Sequence, residues 1–354
     1  MMTGRSQTSA LWVLIVCVAS SIATSRKLEA KTAPSLQDSA TTELKTSFTY
    51  KQVGSTDIKA DVYRSPGLDS RPVILWIHGG ALIFGSRSML PADELAQFLQ
   101  AGFLVVAIDY RLAPETKLPE ILKDVDDAID WVRTKGPSLF RADPSNVAVV
   151  GQSAGAYLAI MEGIRARPRV QAVVSFYGYG NISGEWYSKP DAFFLKQRRI
   201  TREKAFQVVG STVLSESAPD PRSTFYVYCR QTGLWPSQVS GIDPLRNPKE
   251  FAPYNPESLV TSSYPSTFLL HGDRDTDVPF QMSERMAASL KRQGVNYRFY
   301  RMRGFNHLFD VFPDGPSPQG HAIGLRNPQV RTAFAEVILF LKDQVGSRTE
   351  SSSF

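Results

Sequence analysis

An α/β fold on a mostly parallel sheet is what this 354-residue sequence predicts, and two observations carry the prediction. Short apolar runs of strand length alternate with stretches whose apolar residues recur every three or four positions. Several of the runs stop abruptly at glycine or an acidic residue, as buried strands do on entering a loop. At 42% hydrophobic residues the chain can bury one large core.

The elements follow in chain order. Residues 10–23 (ALWVLIVCVASSIA) form an apolar run behind Arg5 that ends in small residues, Ser21 and Ala23. A spanning helix needs about 20 apolar residues, so residues 1–23 read as a cleaved leader. An exported protein, secreted or periplasmic, follows from that, with membrane anchoring by an uncleaved leader as the alternative. Val16 stands before Cys17 where lipoprotein processing requires a small residue, so no lipid anchor is expected. Once the leader is removed Cys229 is the only cysteine, which excludes an intramolecular disulfide and makes Cys229 a packing residue. Residues 24–45, rich in Ser, Thr, Ala and Lys, suit a flexible segment. The folded domain is expected over 46–345, followed by a tail at 346–354.

Within that domain, β-like segments at 48–53 and 58–63 lead to buried-strand runs at 72–77, 103–108 and 147–150. Further strands are expected at 170–175, 267–270 and 297–300. Residues 118–135 place Ile121, Val125, Ala128, Ile129 and Val132 on one helical face, which suits a helix covering a sheet. Residues 330–341 read as a closing helix. Strand, helix, strand in this order gives parallel pairing. The rhythm breaks between about 181 and 265, a length improbable for a structureless loop. This aromatic stretch, with Trp186, Tyr187, Phe193, Phe194, Phe225, Tyr226, Tyr228 and Trp235, is expected to form a helical insertion.

The net charge of +6 is the small difference between 40 basic and 34 acidic residues spread along the chain. Such a balance supports no nucleic-acid function. The cluster Lys196, Arg198, Arg199, Arg202 and Lys204 reads as a solvated face.

Gly151-Gln152-Ser153-Ala154-Gly155 has the pattern G-x-S-x-G between a strand and a helix-prone stretch at 154–165. In such a turn the glycines leave room for a sharp bend that projects the serine outward. A serine hydroxyl needs a base to take its proton, and the chain has four histidines. His78 opens a glycine turn and His271 ends a strand, so both read as architectural. His307, in a polar loop after the strand at 297–300, is the expected base, with His321 in a Pro/Gly-rich loop as the alternative. The base needs a carboxylate to hold its tautomer, and Asp273, Asp275 and Asp277 all lie between nucleophile and base. An EF-hand-like spacing of these aspartates with Glu284 is discounted, because Val278 occupies the position where that loop needs glycine. No metal and no cofactor are expected. A tetrahedral oxyanion needs preorganised amide donors, and His78-Gly79-Gly80-Ala81 lets the backbone approach closely enough to supply them.

On these motifs the chain resembles α/β-hydrolases over residues 46–345, in particular hormone-sensitive-lipase-like esterases and the carboxylesterases that include acetyl and feruloyl esterases. The resemblance implies an α/β-hydrolase fold, a mostly parallel central sheet flanked by helices, with a helical cap at 181–265. It matches His271-Gly-Asp-Arg-Asp-Thr-Asp-Val-Pro279 to the family pattern H-G-x-x-D-x-x-V-P, which singles out Asp275 and leaves Asp273 and Asp277 as solvated or turn-forming residues. It also matches residues 78–81 to the loop written HGGG, with Ala81 in place of the third glycine. The oxyanion donors are then the amides of Gly79, Gly80, Ala81 and Ala154. The signature Asp109-Tyr-Arg-Leu-Ala-Pro-Glu115 is expected to be structural, its charged groups pairing to hold the region below that loop. Gln152 departs from the acidic residue usual before the serine, and Gly155-Ala156-Tyr157 departs from the usual Gly-Gly-Asn, which leaves the subfamily open.

The function implied is a serine carboxylic-ester hydrolase acting through an acyl-enzyme on a small-molecule ester with a short or aromatic acyl group, the aromatic insertion lining the pocket. An amidase or peptidase of the same fold is the first alternative. A noncatalytic α/β-hydrolase-like binding module is the second.

Overall fold

The apolar runs pair into one eight-stranded sheet in the computed structural model, which describes residues 44–311 and 324–346. The strands are β1 (Leu44–Val53), β2 (Thr56–Arg64), β3 (Arg71–Ile77), β4 (Leu104–Ile108), β5 (Ala142–Gln152), β6 (Ala172–Phe176), β7 (Ser266–Gly272) and β8 (Tyr297–Met302). Their spatial order is β1-β2-β4-β3-β5-β6-β7-β8. The strands β1 and β2 pair antiparallel, β2 joins β4 antiparallel, and every pairing from β4 to β8 is parallel. The first strand begins two residues before the predicted start of the domain. The leader, Cys17 and most of the segment at 24–45 lie outside the described residues, as does His321.

Burial on both faces explains why the central strands read as unbroken apolar runs. Val73, Leu75 and Ile77 of β3 and Val147 and Val149 of β5 point into one core layer, while Ile74, Trp76, Ala148 and Val150 point into the other. The first layer is closed by α2 (Leu118–Thr134), α3 (Ala154–Arg165) and α5 (Gln281–Arg292), and the second by α1 (Ala92–Gln100) and α6 (Pro328–Val345). Leu118, Ile121, Leu122, Val125, Ala128, Ile129 and Val132 of α2 are all buried, the stripe that the sequence spacing predicts.

Between β6 and β7 the chain runs through short helices and one longer helix, α4 (Pro219–Thr232). This segment grips the loop after β3. Trp235 Nε1 donates to the Ala81 carbonyl at 3.0 Å, and the buried Arg222 donates to the carbonyls of Ile83 and Ala113, both at 2.6 Å. The exposed basic residues Lys196, Arg198, Arg199, Arg202 and Lys204 lie on the same segment. Cys229 is buried in α4, and desolvation pushes its thiol well above the ordinary range, as suits a packing residue.

The signature at 109–115 is pinned by residues outside itself, which corrects the expectation of pairing within it. Asp109 pairs with Arg87, Arg111 with Asp124 at 2.7 Å, and Glu115 with Arg222 at 2.7 Å. Each bridge ties the end of β4 to a different element. Burial keeps the Asp109 carboxyl partly hard to ionise, raised to about 6 despite its arginine.

Candidate active site

The loops leaving β3, β5, β6, β7 and β8 meet at the carboxyl edge of the sheet, where the order reverses on either side of β3. A crevice forms at such a switch point because neighbouring loops run to opposite sides. Ser153 sits there between β5 and α3 with φ 53° and ψ −117°. A positive φ at a side-chain-bearing residue costs about 1–3 kcal/mol and persists only where its surroundings enforce it. The enforcement is steric. A β-carbon on Gly155 would lie 2.2 Å from the Ile77 carbonyl oxygen, and one on Gly151 would lie 2.2 Å from that of Gly155. Glycine at both positions lets β5, the turn and α3 press against β3, so the serine has nowhere to point but outward.

His307, after β8, places Nε2 3.0 Å from Ser153 Oγ. Its Nδ1 lies 2.6 Å from Asp275 Oδ2 in the loop after β7. The Asp275 side chain is wholly buried, and four donors meet it. The amides of Asp277 and Val278 donate to Oδ1, both at 2.8 Å, while the His307 and His271 rings approach Oδ2. Burial opposes its charge, but the positive charge that His307 carries when protonated and the ring hydrogen bonds outweigh burial and hold the carboxyl well below its ordinary value. For His307 burial again opposes the charged form, and the Asp275 carboxylate overcomes it, so the imidazole is raised above its usual 6.5. A polarised imidazole whose free nitrogen touches a hydroxyl is the arrangement that general-base activation of a nucleophile needs.

The loop at 78–85 turns sharply beside this serine. Gly80 has φ 105°, Ala81 φ 56° and Leu82 φ 61°. At Gly80 a side chain would strike the Phe84 carbonyl, which accepts no compromise at 2.0 Å. The amides of Gly80, Ala81 and Ala154 donate to no acceptor among the described residues. Gly79 packs so closely that a β-carbon on it would stand 3.2 Å from that of Ser153. His78 is architectural, as expected. It is buried, bonds the Gly79 carbonyl at 2.7 Å and stacks on Tyr110, and desolvation lowers it to about 4, so it stays neutral.

Several residues near the centre escaped the sequence reading. Asn306 accepts from the amides of Thr276 at 2.9 Å and His307 at 2.7 Å, lacing the acid loop to the base loop. His271 touches Asp275 at 3.2 Å, a contact hidden by its place inside a strand. Asp273 corrects an expectation: it is neither free in solvent nor turn-forming within its own loop, but ties that loop to the end of β8 by accepting from the Gly304 amide and Arg301. Asp277 is a correction: it is neither free in solvent nor spent on a turn, but held by the buried Arg230 at 2.7 Å and by Tyr226. The partners come from α4, about 50 positions away, and no local spacing could announce them.

Gln152, where an acidic residue is usual, opens onto a buried carboxyl pair. Its Nε2 donates to Asp310 at 2.6 Å and lies 3.4 Å from Glu94. Tyr177, whose ring packs 4.5 Å from that of His307, donates to the other Asp310 oxygen at 2.8 Å. Burial first, then the charge of Asp310, raises Glu94 well above its ordinary value, which favours its protonated form. A raised folded-state value contributes stability in full below the unfolded carboxyl range, about pH 4, and loses it as pH climbs through the folded value. Glu94→Gln mimics the protonated acid at every pH. Thermal melts from pH 4 to 9 are therefore expected to show wild-type stability falling relative to Glu94→Gln, by at most about 1.4 kcal/mol per pH unit; parallel curves would contradict the raised Glu94 carboxyl.

Comparison with known proteins agrees with this architecture. A family model described as the α/β-hydrolase fold matches residues 74–311. The chain is 31% identical to the non-reducing polyketide synthase Preu3 of Preussia isomera over 76% of its own length, but it spans only 13% of that much longer protein. A protein of unknown function from Staphylococcus aureus superposes with a TM-score of 0.67 at 23% identity, covering 85% of this chain and 99% of that one. The esterase of Pyrobaculum calidifontis superposes at 0.60 with 23% identity, over 85% of this chain and 84% of its own. At such identities the two structural likenesses speak to fold alone. With the family model spanning most of the described residues and the eight-stranded sheet turning its carboxyl edge into a serine elbow, the chain belongs to the α/β-hydrolases.

Proposed function

We propose that the protein is a serine carboxylic-ester hydrolase. The observation that carries the reading is the continuous line from Asp275 Oδ2 through His307 to Ser153 Oγ, at 2.6 and 3.0 Å, beside amides that have no acceptor among the described residues. In the proposed reaction His307 Nε2 takes the Ser153 proton as Oγ attacks the ester carbonyl. The resulting oxyanion is held by the amides of Gly80, Ala81 and Ala154, where the developing charge meets donors already in place. The imidazolium returns its proton to the alcohol oxygen, which departs and leaves an acyl group on Ser153. Water, deprotonated by the same nitrogen, then releases the acid and restores the serine. Asp275 keeps its charge throughout.

Short or aromatic acyl groups suit the aromatic cap segment, where Trp186, Tyr187 and Trp235 form a stacked and edge-on cluster with Tyr179 just before it. The apolar run at 10–23 extends the reading to an exported protein. The test is chemical: a fluorophosphonate probe should label Ser153 stoichiometrically and abolish p-nitrophenyl acetate hydrolysis. Unlabelled protein that is folded would favour a binding module. Faster turnover of an anilide than of its matched ester would favour an amidase.

A further inference from the structure

Asp277 stands beside His307 Nε2, the atom that in the proposed reaction hands its proton to the leaving alcohol. Its Oδ2 is 4.0 Å from His307 Nε2, too far for a hydrogen bond, and accepts none from any described residue. Oδ1, by contrast, is anchored by Arg230 at 2.7 Å and by the Tyr226 hydroxyl. Arg230 is itself buried, bonded to Asp191 at 2.9 Å, and enclosed by the rings of Tyr187 and Phe194 at 4.9 and 4.6 Å. One guanidinium facing two carboxylates leaves the group with a formal negative charge in excess. The carboxylate is thus rigid, 28% exposed, and turned with one oxygen unfilled toward the reacting centre.

We propose that Asp277 is a specificity residue selecting esters whose alcohol carries a hydroxyl on the carbon next to the ester-bearing carbon, as in a partly acylated polyol. The inference rests on the ester-hydrolase reading. The alcohol oxygen must come within about 3 Å of His307 Nε2 to receive its proton. A hydroxyl one carbon further on, about 3 Å from that oxygen, then reaches Oδ2 from one side of the 4.0 Å line joining it to the nitrogen, and donates to it. An alcohol without a donor covers a charged oxygen and strips its water with nothing in exchange, which costs binding. The acyl half faces the amide donors instead, where a second carboxylate would oppose the oxyanion.

The test compares 2-hydroxyethyl acetate with 2-methoxyethyl acetate, which have similar leaving-group character and differ in the donor. The kcat/KM of the hydroxy ester is expected to exceed that of the methoxy ester by about tenfold or more. In Asp277→Asn, which keeps an oxygen for Tyr226 and Arg230, the ratio should collapse toward one. Equal rates in the wild type overturn the proposal, and that measurement stands even if the variant fails to fold. Acetylcholine supplies charge without a donor; a preference for it over the hydroxy ester overturns the hydroxyl assignment. If p-nitrophenyl acetate is hydrolysed and the ratio is one, only the specificity fails. Absence of activity toward all four esters strikes the hydrolase reading itself.

Discussion

Ser153→Ala is expected to lower kcat toward p-nitrophenyl acetate by roughly 10⁴–10⁶-fold, with KM little changed. The size follows from the chemistry that the hydroxyl alone supplies. Without Oγ no acyl-enzyme forms, and His307 can at best activate a water that the site does not position. The amide donors remain and keep some residual rate. Because the substitution removes one oxygen from a position whose positive φ is imposed by Gly151 and Gly155, the fold should survive it, and circular dichroism should match the wild type. Activity within tenfold of the wild type in such folded protein would eliminate Ser153 as nucleophile.

The second large effect is expected at Asp275. Asp275→Asn should reduce kcat by about 10⁴-fold. Asp275 accepts on both oxygens: two backbone amides bond Oδ1, and two imidazoles approach Oδ2. An asparagine cannot reproduce this. With its oxygen toward the amides, its NH₂ faces His307 Nδ1 and forces the proton to Nε2, which then cannot accept from Ser153. With the amide flipped, NH₂ meets two N–H donors. Either orientation disables the base. The pH profile adds an independent check. Since Asp275 outweighs burial in raising His307, the wild-type kcat/KM should fall on an acid limb lying above pH 6.5, where the imidazole becomes protonated and can no longer act as a base. In Asp275→Asn the limb should move to lower pH as the plateau drops. An unmoved limb would show that another group governs it.

The strands and the helix α2 were legible because their patterns are local. Alternating side chains in β3 and β5 reach opposite core layers, and the three- and four-residue spacing in α2 faces one of them, so composition along a few residues suffices. The serine turn was legible for the same reason, since its glycines are demanded by contacts within one strand-turn-helix unit. His307 was legible by elimination among four histidines, but Asp275 required the family pattern, for three aspartates share one loop and only the fold decides which of them the imidazole meets.

Residue order by itself determined the alternation of strands and helices, the turn that must present Ser153, and the short list of partners for it. Tertiary structure alone decided that Asp277 is clamped by Arg230, that His271 and Asn306 brace the acid and base loops, and that Gln152 reaches Glu94 and Asp310. These are contacts between residues 30 to 158 positions apart or folded back across a turn. They leave no periodicity in the chain, because hydrogen bonds and ion pairs depend on distance in space, and that is fixed only when the sheet brings its loops to one edge.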